Sequence, residues 1–370
     1  MDRKIFILES HEEATAKRCV ETQNENVNDD FFIGSDIRFR CGNSIKSTNE
    51  WIWKSLIPQS YRDFLSVKDH NGFLPGSEHG LKYGTSLNLK KAVEYDIPVE
   101  INRRVMYFIY YFQTTFKESF SEWLSRSSRY VPLMRDIFKE NNLPEDLVYL
   151  ALIESGFNPK AYSSAHACGP WQFIRETGRR YGMRVDWWID ERRDPEKSTM
   201  AAARYLKDLY DRFGSWYLAA AAYNAGENTI ERAIDACETK DFWEISGCYS
   251  LKEETMNYIP KLIAGMIVAK NPRKYGFGDI EYQSPLLYDR VHVPTATYLE
   301  IIASACSTDY NIIRILNPEL RRGCTPPNFT DYEVKIPYGK KELFYRNFER
   351  INLSGIHPEM RCSLQGQGKR

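Results

Sequence analysis

The chain has 370 residues, of which 42% are hydrophobic and 27% charged, a composition typical of a folded globular protein with two or three domains. Fifty basic and fifty acidic side chains cancel to a net charge of zero, so we expect no bulk attraction to nucleic acid or to an anionic surface. The eight cysteines contain no C-x-x-C pair. This argues against a zinc ribbon or a redox motif and leaves disulfides and buried free thiols both open.

The N-terminal part of the chain carries few structural signals. Only four consecutive apolar residues, 5–8, precede a charged run, which is too short for the core of a signal peptide. No stretch reaches the roughly 18 to 20 apolar residues of a membrane span, so we predict no transmembrane segment. Residues 1–50 are predicted to be poorly ordered, and residues 51–95 to form a loop-rich segment without a readable role.

Helical periodicity then dominates residues 96–275, which we predict to form an all-helical domain. In chain order, the predicted helices cover 104–120, 130–140, the apolar run that ends at Glu154, 171–181, a helix that begins at Asp194, 216–223, 229–236 and 253–269. Asp194 is a typical N-cap residue, and the proline that follows it suits the first helical position.

The character of the chain changes after residue 278. The pattern predicts a strand at 290–293, helices at 298–305 and 310–316, and a second strand at 333–337. This β-α-α-β order indicates a small separate module over residues 285–345, followed by an unstructured tail at 350–370. The predicted fold class is therefore mainly α, with a helical domain followed by a small β-α-α-β module.

Glu154 stands where an acid is unexpected. Leu147, Leu150 and Ala151 precede it by seven, four and three residues, so on a helix all four share the apolar face. Gly156 is placed to end this helix. An apolar setting and the negative end of the helix dipole both raise the pKa of a carboxyl group, which would suit a general acid. The alternative is a buried structural carboxylate paired with an arginine.

Four short strings stand out within the helical region. They are ESGFNPKAYS at 154–163, CGPWQFI at 168–174, AAYNAG at 221–226 and ETMNYIP at 254–260. In this order and spacing they resemble the lytic transglycosylases with a soluble-type (SLT) catalytic domain, above all the membrane-bound type D group. The second string departs from the Gly-Leu-Met-Gln-Ile form usual in the wider family and follows the type D form. The resemblance covers residues 95–340 and implies a lysozyme-like fold for the helical domain.

The resemblance also implies an activity. Its members cleave the β-1,4 bond between N-acetylmuramic acid and N-acetylglucosamine in peptidoglycan and leave 1,6-anhydromuramyl ends, without a metal or a cofactor. The implied partner is the peptidoglycan glycan strand. The implied location is the cell envelope, in the periplasm or at the membrane, although no signal peptide is visible in this chain.

The resemblance assigns Glu154 as the catalytic residue. The candidate substrate-binding residues are Ser155, Ser163, Gln172, Phe173, Tyr223, Asn224 and Tyr258. Within this set, the resemblance expects Ser163 near an N-acetyl group and Tyr258 hydrogen-bonded to the catalytic carboxyl.

Each of these assignments has a structural alternative. Ser155 can hydrogen-bond locally instead of to a sugar, and Trp171 and Phe173 can be core residues. The string that ends at Gly226 can be only a helix end. Tyr258 can be only a packing residue, as a tyrosine in an apolar helix often is.

Most glycosidases need two carboxylates, but no second acid accompanies Glu154 in its own string. The acids that follow it are Glu176, Asp186, Asp190, Glu191 and Asp194. We therefore expect Glu154 to act first as acid and then as base, while the C6 hydroxyl of the same sugar attacks C1. One alternative is a goose-type lysozyme-like hydrolase, in which water attacks. Another is an inactive peptidoglycan-binding protein.

The C-terminal module resembles a degenerate LysM domain, a small peptidoglycan-binding fold. The likeness rests on TYLEIIA at 297–303 and NPE at 317–319. An insertion at 321–331, with two adjacent prolines, departs from the LysM pattern. The sequence leaves open whether this module binds glycan or only packs against the helical domain.

Overall fold

The computed structural model describes residues 93–294 and 296–353, with the backbone alone for the last two. The segment predicted to be poorly ordered, all but the end of the loop-rich segment, and the tail from residue 354 lie outside the described residues. Within the part of the chain that is described, no helix combines the length and the hydropathy needed to cross a membrane.

The predicted mainly α fold is confirmed, because twelve α-helices and one two-stranded sheet make up the described residues. The helical domain contains α1 (Arg103–Gln113), α2 (Lys117–Glu140), α3 (Tyr149–Ser155), α4 (Arg175–Arg180), α5 (Pro195–Phe213), α6 (Trp216–Ala225), α7 (Glu227–Cys237), α8 (Phe242–Cys248) and α9 (Glu253–Lys270). The C-terminal module contains β1 (Tyr288–Val293), α10 (Leu299–Cys306), α11 (Tyr310–Leu316), β2 (Tyr332–Pro337) and α12 (Lys341–Leu353).

The single helix predicted over 104–120 is wrong, because the chain breaks between α1 and α2. The rings of Phe112 and Phe120 stack with their centroids 4.5 Å apart. Eight residues along one continuous helix rise about 12 Å, so this contact requires the chain to turn back. Burial of the aromatic run therefore overrides the local helical preference at residues 114–116.

Other boundaries also differ from the prediction. The helix predicted over 171–181 forms only as α4, and residues 169–174 take an irregular path. Neither α8 nor α12 was predicted, and α12 extends into the predicted tail.

Cys237 and Cys248 form a disulfide between α7 and α8, while Cys168 and Cys306 are buried free thiols. Both outcomes left open for the cysteines therefore occur.

Helix α9 lies at the centre of the helical domain and packs on α1, α3 and α6. Its middle is apolar on all sides, with Ile259, Ile263, Ala264 and Met266 fully buried. A side chain at Gly265 would meet Leu152 Cδ2 at 3.3 Å, so the glycine allows α9 to approach α3 closely. This contact brings the end of α3 to the face of α9.

The C-terminal module has the predicted β-α-α-β order, with α12 added after β2. Strands β1 and β2 are antiparallel, with Tyr288 opposite Pro337 and Val293 opposite Tyr332. The buried side chains of both strands form a second core with α10, α11 and α12, and Ile189 of the helical domain belongs to this core. The two parts of the chain thus share buried side chains.

Candidate active site

Glu154 lies in the last turn of α3, which ends at Gly156 as predicted. Gly156 has a φ of 58°, a left-handed conformation that favours glycine. An added Cβ at this position would lie 2.1 Å from Trp123 Cδ1, so glycine is required for space as well. Leu150 and Ala151 are fully buried on the same face, and Glu154 is half-buried at its edge.

The Glu154 carboxyl is paired with Tyr258 of α9. The Tyr258 hydroxyl donates a hydrogen bond of 2.5 Å to Glu154 Oε1, and Tyr258 is only 5% exposed. Burial raises the pKa of Glu154 to about 7. The charge of Glu254 raises this pKa as well, whereas the hydrogen bond from Tyr258 and the charge of Lys261 lower it. The carboxyl is thus poised between its protonated and ionised forms near neutral pH.

Tyr223 and Asn224, at the end of α6, form hydrogen bonds with residues of the second and fourth strings. The Tyr223 hydroxyl donates to the carbonyl of Trp171 at 2.6 Å. Burial and the charge of Glu154 raise the pKa of Tyr223 well above its usual value. Asn224 accepts a hydrogen bond from Thr255 at 3.1 Å and donates to Glu254 at 3.5 Å. The third string is therefore in contact with the second and with the fourth.

Residues 161–174, here called the cleft loop, carry Ser163 and Gln172. The loop closes on itself through short β-bridges that pair Cys168 with residues 162 and 173. Gln172 has a φ of 48° and donates its side-chain N–H to the carbonyl of Gly169 at 2.8 Å. Ser163 is 7% exposed, and its hydroxyl accepts the N–H of residue 167 at 3.0 Å. These two candidate substrate contacts are thus fixed by the loop itself.

Three other residues of the strings have mainly structural contacts. The Ser155 hydroxyl donates to the carbonyl of Pro170 at 2.8 Å, which is the local bonding given above as its alternative. The Trp171 indole is fully buried and donates to Thr199 at 2.8 Å. Phe173 is 2% exposed. The rings of Trp171 and Phe173 therefore lie in the core on either side of Gln172 and hold its backbone in place.

Two charged residues of α9, Glu254 and Lys261, belong to the surroundings of Glu154 but were not predicted from the sequence. Glu254 lies four residues before Tyr258 and Lys261 three residues after it, so the three share one helix face. Glu254 is exposed, and its charge acts on Glu154. No second acid was expected in the string of Glu154, and the acid whose charge acts on Glu154 belongs to the fourth string. Glu254 begins the fourth string and Lys261 directly follows it, but neither residue could be assigned to the site before Tyr258 was known to face Glu154.

The site offers a carboxyl as its reactive group. Across residues 93–294 and 296–353, no group of three or more His, Cys, Asp or Glu side chains is arranged to hold a metal ion. A half-buried carboxyl with a raised pKa and a hydroxyl donor beside it can give up a proton and take one back.

Two known families match the sequence of this chain. Residues 135–246 match the family described as the transglycosylase SLT domain, so the helical domain contains an SLT transglycosylase domain over these residues. Residues 288–353 match the family described as the LysM-like domain of lytic transglycosylase MltD. The chain thus combines an SLT domain with the LysM-like domain of the type D group, and the resemblance to that group is confirmed.

Individual relatives share the same region. The membrane-bound lytic murein transglycosylase D of Escherichia coli K12 is 33% identical over 197 residues, which are 52% of this chain and 43% of that protein. The peptidoglycan transglycosylase of Escherichia phage T7 is 36% identical over 149 residues, which are 39% of this chain and 11% of that protein. The chain therefore spans less than half the length of either relative.

One solved structure is similar to part of this chain. It is the 70-kDa soluble lytic transglycosylase of Escherichia coli, which is 24% identical, covers 40% of this chain and 25% of its own, and gives a TM-score of 0.32.

Proposed function

We propose that this protein is a peptidoglycan lytic transglycosylase that cleaves the β-1,4 bond between N-acetylmuramic acid and N-acetylglucosamine and forms 1,6-anhydromuramyl ends. The observation that carries the proposal is the pairing of the half-buried Glu154 with the buried Tyr258 through a hydrogen bond of 2.5 Å. The relatives named above are murein and peptidoglycan transglycosylases, which supports the same substrate class.

In the first step Glu154 acts as a general acid. Its pKa of about 7 keeps a large fraction of the carboxyl protonated at neutral pH. As the bond between C1 of the muramic residue and the glycosidic oxygen breaks, the bonding electrons stay on that oxygen, which takes the proton from Glu154. The carbonyl of the muramic N-acetyl group stabilises the positive charge that develops at C1.

In the second step the ionised Glu154 acts as a base. It accepts the proton of the C6 hydroxyl while the C6 oxygen forms a bond to C1, which closes the anhydro ring and restores the carboxylic acid. The hydrogen bond from Tyr258 and the positive charge of Lys261 stabilise the ionised form between the two steps. An attack within one sugar profits from a high effective concentration, and no water is consumed.

Substrate contacts are proposed for the residues of the other strings. Ser163 and Gln172 present polar groups from the cleft loop, and Tyr223 and Asn224 do so from the end of α6. The glycan strand of peptidoglycan is the proposed partner, and the cell envelope the proposed location. The disulfide between Cys237 and Cys248 is of the kind that persists in an oxidising compartment.

Hydrolysis of the same bond is a second candidate, because Glu254 places an exposed carboxylate near Glu154. A second carboxylate can activate a water molecule, as in glycosidases that use two acids. Mass spectrometry of the products from purified peptidoglycan separates the two reactions. Anhydro ends, formed without uptake of labelled water, support the transglycosylase. Reducing ends that carry the oxygen label support the hydrolase and contradict our proposal.

A further inference from the structure

The LysM-like module is joined to the SLT domain by a buried ionic cluster. Lys335 of β2 is 4% exposed, and its ammonium lies 2.8 Å from both carboxylate oxygens of Asp194. Asp194 is the N-cap of α5 and is 1% exposed. Glu196, in the first turn of α5, lies 3.1 Å from the same ammonium and accepts a hydrogen bond from Tyr288 of β1 at 2.9 Å. A buried charge set of this kind holds its partners in one arrangement.

The chain backbone adds a second connection beside this cluster. The N–H of Asp190 donates to the carbonyl of Glu319 at 2.9 Å, and the N–H of Arg321 donates to the carbonyl of Trp188 at 3.0 Å. The guanidinium of Arg321 donates to the carbonyl of Asp186 at 2.8 Å. Residues 186–190, here called the bridge segment, are thus paired with the module like a short strand.

The insertion that departs from the LysM pattern also contacts the SLT domain. Arg322 lies 3.5 Å from the centre of the Trp187 ring, and Arg184 lies 4.3 Å from the centre of the Phe329 ring. The part of the module that looked irregular in the sequence is therefore the part that faces the bridge segment.

The bridge segment is tied in turn to the cleft loop. The Asp190 carboxylate binds the Arg192 guanidinium through two hydrogen bonds of 2.9 and 2.8 Å. Arg192, which is 3% exposed, donates to the carbonyls of His166 and Phe173 at 2.8 and 2.9 Å. The backbone of Arg192 also lies against Gly169, where an added Cβ would be 1.7 Å from the Arg192 carbonyl oxygen. Arg192 therefore holds the cleft loop near its middle and near its C-terminal end.

We propose that the LysM-like module is a positioning element of the active site, which acts on Arg192 and the cleft loop from Arg321 through the bridge segment and from Lys335 through Asp194. The proposal rests on the proposed function, because it takes Ser163 and Gln172 of that loop as substrate contacts. In this arrangement the module is a fixed part of the catalytic unit, and its primary role is to hold the loop rather than to bind the cell wall.

Two variants of the full chain weaken the contacts between the LysM-like module and the SLT domain without leaving a cavity in the core. Arg321→Ala removes an exposed side chain and one hydrogen bond to the bridge segment. The double variant Asp194→Asn/Lys335→Met removes two opposite charges together and leaves Glu196 paired with Arg290, and asparagine still serves as a helix N-cap. Arg314→Ala is the matched control, because Arg314 is exposed on α11 and stacks on Tyr310 of the same helix.

The decisive measurement is amide hydrogen exchange in the absence of substrate. We expect exchange within the cleft loop to become about fivefold or more faster in both variants, because the segment around Arg192, which binds the loop, is then held by fewer contacts. Exchange in α9 is expected to stay unchanged in both variants, which would show that the fold is retained. Exchange in Arg314→Ala is expected to match the wild type throughout. Unchanged exchange in the cleft loop of both variants would overturn the proposal.

Two further measurements separate positioning from wall binding. On soluble peptidoglycan fragments we expect KM to rise several-fold in both variants, with a smaller change in kcat. In the Glu154→Gln background, retention on insoluble peptidoglycan is expected to be unaltered by Arg321→Ala. Loss of retention with normal loop exchange would contradict positioning and indicate a wall-binding module. Because hydrogen exchange needs no turnover, a failure of the proposed activity would be recognised separately, by the absence of anhydro products from the wild type.

Discussion

The hydroxyl of Tyr258 and the carboxyl of Glu154 form a hydrogen bond of 2.5 Å, although 104 residues separate them in the chain. Burial and the hydrogen bond from Tyr258 change the pKa of Glu154 in opposite directions. Burial of Glu154 raises it to about 7, while the hydrogen bond favours the ionised form and lowers it. A group that must give a proton and then take one needs this balance, so the pair is the natural target for the first experiments.

Replacement of the acid tests its role directly. Glu154→Gln keeps the size and the acceptor oxygen of the side chain but cannot transfer a proton. We expect the rate of formation of anhydro ends to fall by about a thousandfold or more, while binding to insoluble peptidoglycan is retained. Mass spectrometry and a pelleting assay measure the two properties. Activity within tenfold of the wild type would contradict the assignment and favour an inactive wall-binding protein.

Removal of the Tyr258 hydroxyl is expected to shift the pH dependence. In Tyr258→Phe the ionised form of Glu154 loses a hydrogen bond, so its pKa rises and the alkaline fall of kcat/KM moves to higher pH. A hydrogen bond to a charged group contributes about 1.5–3 kcal/mol, so kcat at neutral pH is expected to fall about 10- to 100-fold. Tyr338→Phe, at a residue that is 71% exposed, is the control and should leave the profile unchanged. A shift toward lower pH would refute this account.

Two charges on α9 are expected to shift the same profile in opposite directions. Glu254 raises the pKa of Glu154, so Glu254→Gln should move the alkaline fall of kcat/KM to lower pH. Lys261 lowers that pKa, so Lys261→Met should move the fall to higher pH. Because Glu254 is exposed, its effect should shrink as the salt concentration rises. Shifts of the same sign in both variants would show that these charges do not act on Glu154 directly.

Glu319 is expected to make the stability of the protein depend on pH. It is 3% exposed, its Oε2 has no hydrogen-bond partner, and burial raises its pKa from 4.5 to about 7. Between these values the unfolded chain has released a proton that the folded protein retains. The free energy of unfolding therefore falls as the pH rises from 4.5 to 7, and the loss persists above pH 7.

Glu319→Gln should remove this dependence. We expect the variant to be more stable than the wild type at pH 8 by about 1–3 kcal/mol, and nearly equal to it at pH 4.5. Urea denaturation at both pH values measures the difference. A variant that is less stable than the wild type at pH 8 would show that ionised Glu319 stabilises the charge cluster around Lys335.

The sequence by itself determined the features that depend on neighbours along the chain. The apolar face that carries Glu154, the helix end at Gly156 and the helix start at Asp194 follow from side-chain periodicity and capping. The β-α-α-β order of the module was legible for the same reason. These features agree with the structure because each is decided within one or two helical turns or a single strand.

The tertiary structure decided which elements face each other. Periodicity shows that a face is apolar but not what covers it, so neither the break between α1 and α2 nor the short form of α4 could be predicted. The charge of Glu254 acts on Glu154 only because α9 packs across the end of α3. Likewise, Arg192 binds the cleft loop only because residues 166 and 173, which are distant from it in the chain, fold back against it. The pKa of an acid depends on distance in space, and distances between remote segments are fixed only when the core packs.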